Sequence, residues 1–131
     1  MKILLDTNAY SELKRGHEGV AYLVRRAEKI YLSAVVAGEL LYGFKTGRRH
    51  DQNLKELDRF LDNPYVQFLP VSYGTADRFA RIATSLRRNG TPLPTNDIWI
   101  AAATMESGAE LATFDSHFEH VDGLVWVSPS E

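Results

Sequence analysis

Ile3, Leu4 and Leu5 form an unbroken apolar run that stops at Asp6, Thr7 and Asn8. A strand with one wet face alternates apolar and polar residues. A run without alternation has to be covered on both faces, which is the habit of strands in parallel sheets. Parallel strands in turn need long crossovers, usually helical, between them. In open α/β sheets, ligands bind beyond the carboxyl ends of the strands. An acid at the end of this run therefore stands at the mouth of a site.

The rest of the chain supplies the crossovers. Ala9 to Arg15 reads as a short helix stopped by Gly16, and Val20, Leu23, Val24 and Ala27 recur on one helical face. Ile30 to Leu32 is a second strand. Ser33 is the expected N-cap of a helix that carries Val35, Val36, Glu39, Leu40 and Leu41 and fades near Gly43 or Gly47. Leu54, Leu57 and Leu61 mark an amphipathic helix between Asp51 and Asp62, which Asn63-Pro64 breaks. Val66 to Leu69 is a third strand. Ala76, Phe79, Ala80, Ala83 and Leu86 mark another helix, ended by Asn89-Gly90. Thr95 is expected to cap a helix from about Asn96 to Ser107, apolar nearly all round and therefore buried. Leu111 to Thr113 and Leu124 to Val127 complete five strands. The expectation is one α/β domain over residues 1–131, a parallel sheet with helices on both faces.

The 131 residues contain no cysteine, which excludes disulfides, thiolate metal sites and cysteine nucleophiles. No apolar run approaches the roughly 18–20 residues of a membrane span. Asp6 interrupts the N-terminus before it can read as a signal peptide, so no membrane and a cytoplasmic location are expected. The formal charge of −2 does not advertise a nucleic-acid binder. With four of the 17 acids committed to cations, however, the other 13 would face 15 basic residues.

Four acids are expected at one sheet edge. Asp6 follows the first strand and Asp115 the fourth, while Glu39 lies one to two turns into the helix after the second. Asp97, in the first turn of the buried helix, joins them if the loop from Gly90 to Thr95 crosses that edge. Each has a plainer explanation: a turn for Asp6, a turn or cap for Asp115, a dipole-favoured helix start for Asp97. Glu39 resists one, since it sits among apolar and small residues. Carboxylates gathered without Lys or Arg repel one another, and a hard divalent cation relieves the repulsion. Such ions activate water and steady the leaving oxygen, so metal-assisted phosphodiester hydrolysis is the chemistry implied.

Leu4-Leu5-Asp6-Thr7-Asn8, Ser33-x5-Glu39-Leu40-x2-Gly43, Asn96-Asp97-x2-Ile100-Ala101-Ala102 and Ala112-Thr113-x-Asp115-x2-Phe118 together resemble the PIN-domain ribonucleases, the VapC toxins of bacterial toxin–antitoxin pairs most of all. The resemblance implies a PIN-like three-layer fold with a mainly parallel five-stranded sheet, and a metal-dependent endoribonuclease. It implies that Asp6, Glu39, Asp97 and Asp115 bind Mg2+ or Mn2+ and position the attacking water. Thr113 would help order that site, with Thr7, Asn8 and Asn96 nearby. It further implies an RNA substrate, transfer RNA first, an antitoxin partner, and a homodimer or a toxin–antitoxin hetero-oligomer.

Lys45, Arg48, Arg49 and His50 form a basic run that reads either as a solvated helix end or as a phosphate contact for RNA. Arg78, Arg81, Arg87 and Arg88 carry the same two readings. His117 reads either as a proton donor or as a solvent-facing residue at the rim, and the second is the expectation. Tyr10, Leu13, Leu40, Leu41, Tyr42 and Phe44 are either core or a partner surface. Two other functions fit the same acids: a catalytically silent PIN-fold binding module, and a metal-dependent phosphodiesterase or phosphatase with a non-RNA substrate.

Overall fold

The first strand, β1 (Lys2–Leu5), lies at the centre of a five-stranded sheet in the computed structural model, which describes residues 1–130. The chain runs β1, α1 (Thr7–Lys14), α2 (Glu18–Arg26), β2 (Lys29–Ser33), α3 (Ala34–Lys45), α4 (His50–Asp62), β3 (Val66–Leu69) and α5 (Tyr73–Asn89). It continues with α6 (Thr95–Ser107), β4 (Glu110–Ala112), a 3-10 turn over Ser116–His120, and β5 (Trp126–Val127). The spatial order is β3-β2-β1-β4-β5, and every pairing is parallel. β1 sets Leu4 beside Tyr31 of β2 on one side and Leu5 beside Ala112 of β4 on the other. Ile3, Leu4 and Leu5 are wholly buried, as a two-faced core strand requires.

The helices flank the sheet and cover that core. Leu32, Val36, Leu40, Ile100, Ala101, Ala102 and Leu111 join β1 in one apolar cluster. α6 is buried along most of its length, from Ile98 to Thr104 apart from Trp99. Trp99 instead stacks on Phe79 of α5 with ring centroids 4.1 Å apart. α5 begins with a reciprocal Ser72–Thr75 capping box and ends at Gly90, whose φ of 69° turns the chain back. The loop that follows returns the start of α6 to the carboxyl edge of the sheet. At the opposite pole, Glu106 of α6 accepts hydrogen bonds from Thr75 at 2.5 Å and Ser72 at 3.1 Å, tying the two helices together. No described helix is long and apolar enough to cross a membrane.

Three local expectations are corrected. α1 starts at Thr7 rather than Ala9, because the Asp6 carboxylate accepts the Ala9 N–H at 2.9 Å and caps the helix two residues earlier. Thr95 does not cap α6 but is its first residue. Pro94 occupies the cap position with polyproline-like dihedrals (φ −56°, ψ 144°), and its carbonyl accepts from Asp97 and Ile98 at 3.0 and 3.2 Å. β5 shortens to Trp126–Val127, although the Leu111 N–H still reaches the Val125 carbonyl at 2.9 Å. Ser33 caps α3 as expected, accepting the Val36 N–H at 3.2 Å.

Leu4→Ala deletes a fully buried side chain from the strand that both halves of the sheet depend on. It is expected to lower the unfolding free energy by roughly 2–5 kcal/mol. A urea titration with an unchanged slope and an earlier midpoint is the check; an unshifted midpoint would contradict the central placement of β1.

Candidate functional site

From β1 the chain builds outward to β2 and β3, then crosses over to β4 and β5. The strand order therefore reverses beside β1, and at such a switch point the loops leaving the carboxyl ends diverge and open a crevice. Asp6 and Thr113, each the residue directly after its strand, meet there. The Asp6 N–H prolongs the β1–β4 ladder to the Ala112 carbonyl at 3.3 Å, and the Thr113 side chain hydrogen-bonds the Asp6 carboxylate. Thr113 is fully buried, and its hydroxyl also accepts the Asp115 N–H at 3.0 Å. One threonine thus orders two acids. Asp6 is only 8% exposed. Burial pushes its carboxyl above the usual carboxylate range. The hydrogen bonds from Thr113 and Ala9 oppose the rise, while the charges of Asp97 and Asp115 add to it.

Asp97 stands in the first turn of α6 and is part-buried. Its carboxyl is also raised, first by burial, and the Glu39 and Asp115 charges add to that while His117 opposes it. Glu39 is anchored at both oxygens: Thr7 Oγ1 donates to Oε1 at 2.6 Å and Asn96 Nδ2 to Oε2 at 3.3 Å. α1 and α6 therefore hold the α3 carboxylate between them. Asp115 caps the 3-10 turn, accepting the His117 N–H at 3.2 Å. The four acids share one edge, as their topology demands.

His117 keeps a third of its side chain exposed at the rim, but its ring is turned onto the acids, which the expectation of a solvent-facing residue did not foresee. Its Nδ1 lies 2.6 Å from Asp115 Oδ1 and its Nε2 lies 3.0 Å from Asp97 Oδ2, with the side chain 34% exposed. The turn that Asp115 caps swings the ring two residues on back over the acids. A lone Asp-x-His carries no periodic signal for this; the one clue was an aspartate positioned to cap. Donor atoms of Asp97, Asp115 and His117 all fall within 4.8 Å of one another. Asp6 and Glu39 flank that triad rather than share it. Among the described residues, none of the four acids is paired with Lys or Arg. Oxygen-rich donors beside one imidazole, with no Lys or Arg against them among the described residues, suit a divalent ion.

The remaining candidates divide. Thr7, Asn96 and Thr113 hold the acids directly, whereas Asn8 is exposed and makes no side-chain hydrogen bond among the described residues. Lys45, Arg48 and Arg49 are exposed at the far end of α3, with Lys45 about 9 Å beyond Glu39 along the helix axis. Tyr10 and Leu40 are core, while Tyr42 is 72% exposed and borders an open cavity with Val35, Gly38, Glu39 and Asn96. Burial and the Glu56 charge push the Tyr10 hydroxyl up to about 12.

Comparison with known proteins agrees with this geometry. Ribonuclease VapC2 of Rickettsia felis is 26% identical over 130 residues, covering 95% of this chain and 96% of that one. Ribonuclease VapC5 of Mycobacterium tuberculosis is 27% identical over 127 residues, 95% of this chain and 90% of its own. Among solved structures, FitAcB of Neisseria gonorrhoeae superimposes with a TM-score of 0.80 at 28% identity, covering 97% of each chain. The PIN domain model matches residues 3–124, which take in the four acids and the threonines that hold them, Thr7 and Thr113. By that match the chain belongs to the PIN-domain family.

Proposed function

We propose that the protein is a metal-dependent endoribonuclease and the toxin of a toxin–antitoxin pair. One observation carries the reading: Asp6, Glu39, Asp97 and Asp115 crowd a single edge with no Lys or Arg against them among the described residues. A fold gains nothing from such a cluster unless a cation completes it. The family match and the full-length relation to proteins named ribonuclease VapC support RNA as the substrate and an antitoxin as the partner. Transfer RNA is the class we put first, by the resemblance in the motifs.

Asp97 and Asp115, with Asp6 behind them, are the residues that would hold Mg2+ or Mn2+. When bound, such an ion polarises a phosphoryl oxygen and makes water a nucleophile at neutral pH. The chain's own groups do the positioning. Thr113 and the Ala9 N–H fix the Asp6 carboxylate, and Thr7 and Asn96 fix that of Glu39. A carboxylate so fixed accepts a proton from an incoming water without having to reorganise. The exposed Lys45, Arg48 and Arg49 serve as phosphate contacts along the RNA backbone, a role supported by their charge and exposure.

Incubating total cellular RNA with purified protein in Mg2+, Mn2+ or EDTA is the direct test. Discrete products should need the metal and fall by about 100-fold or more in Asp97→Ala. Cleavage that survives this substitution would sink the nuclease reading. No cleavage with any metal would favour the silent binding module.

The electrostatic strain gives a second outcome. The folded-state value of Asp6 is raised, so the native state holds its proton more tightly than the unfolded chain does. Ionising Asp6 therefore costs stability as pH climbs from the unfolded value of about 3.9 through the folded one. In EDTA, Asp6→Asn keeps a capping side chain and should raise the melting temperature at neutral pH. That gain should shrink towards pH 4. A gain of equal size at both pH values would show that charge is not its source.

A further inference from the structure

We propose that His117 is itself a metal ligand, and that its imidazole biases the site towards first-row transition cations such as Mn2+ over Mg2+. The proposal rests on the metal-dependent reading above and names a donor that the four carboxylates do not supply. Asp6 and Glu39 already spend oxygens on protein donors: Ala9 and Thr113 for the first, Thr7 and Asn96 for the second. Asp97 is different. Its Oδ2 meets only His117 Nε2, at 3.0 Å. A cation held by Asp97 and Asp115 therefore enters where the ring already lies, among donor atoms within 4.8 Å of one another. His117 either coordinates it or leaves.

The backbone around the ring argues that it stays. On one side the His117 N–H is tied to Asp115 Oδ1 at 3.2 Å. On the other side Phe118 is a core residue, 1% exposed, so the turn cannot swing outward without drawing a phenyl ring from the core. The contact between Nδ1 and Asp115 Oδ1, at 2.6 Å, is the shorter of the two. With Nδ1–H donating to Asp115, Nε2 is free to turn its lone pair to a cation that enters between the ring and Asp97 and replaces their 3.0 Å contact. A carboxylate behind a ligating histidine fixes its tautomer and raises its basicity. Asp115 accordingly gains a second task, orienting the ring.

The consequence for metal choice follows from ligand chemistry. Mg2+ takes oxygen donors and sheds its waters reluctantly. Imidazole favours transition cations. Replacing one oxygen position by nitrogen costs Mg2+ more than Mn2+.

The test uses the whole protein with the metals alone. Mn2+ and Mg2+ affinities are measured by calorimetry on wild type, His117→Ala, and His117→Gln, which keeps reach and polarity. Pulsed electron paramagnetic resonance then reads nitrogen coupling at bound Mn2+. The wild type should show coupling to one imidazole nitrogen, retained in His120→Gln. Both His117 variants should lose it, with Mn2+ affinity down by about 10-fold or more and Mg2+ affinity changed far less. Mn2+ bound without nitrogen coupling, or Mn2+ affinity unchanged or tighter in the variants, overturns the proposal: His117 would then be a placeholder that the cation displaces. Failure of the metal reading as a whole looks different, since wild type would bind neither ion and Asp6→Asn would match it.

Discussion

The fully buried hydroxyl of Thr113 holds the acidic edge together. It bonds the Asp6 carboxylate and accepts the Asp115 N–H, at the point where two neighbouring strands run out. Its position follows from register alone: β1 pairs Leu5 with Ala112, so the next residues of the two strands meet. From this pair the rest is set by connection. α1 leaves from Asp6, the Asp115 turn leaves after Thr113, and α3 and α6 bring Glu39 and Asp97 in from the flanks. Burial and mutual repulsion raise the Asp6 and Asp97 carboxyls, so the edge is under electrostatic load that hydrogen bonds only partly offset.

Much of this was legible because it depends on period and topology. Apolar runs without alternation announce strands covered on both faces, and parallel strands place their carboxyl ends together. Asp6, Glu39 and Asp115 were bound to share an edge once the strand order was parallel. Asp97 depended on the loop from Gly90 to Thr95, and Gly90 makes the turn that returns α6 to that edge. Thr7, Asn96 and Thr113 could be named as neighbours, yet which acid each would hold depended on side-chain reach.

What escaped has a common physical cause: short-range geometry that carries no repeat. The early start of α1 came from a carboxylate that also caps. The start of α6 came from a proline carbonyl where a threonine hydroxyl looked the better cap. The place of His117 came from a 3-10 turn that folds a ring back over the residue that caps it. In each case residues within three positions of one another compete for the same backbone donors, and composition does not rank the competitors.

The capping role of Asp6 bears on how proteins of this shape lose their chemistry over evolutionary time. Selection for a well-started α1 retains a short hydrogen-bond acceptor at position 6, but it is indifferent to whether that acceptor is charged. A duplicated copy released from catalysis therefore has a downhill first step through asparagine, which keeps the helix and relieves the crowding. Such a copy would carry a neutral cap behind an otherwise intact strand.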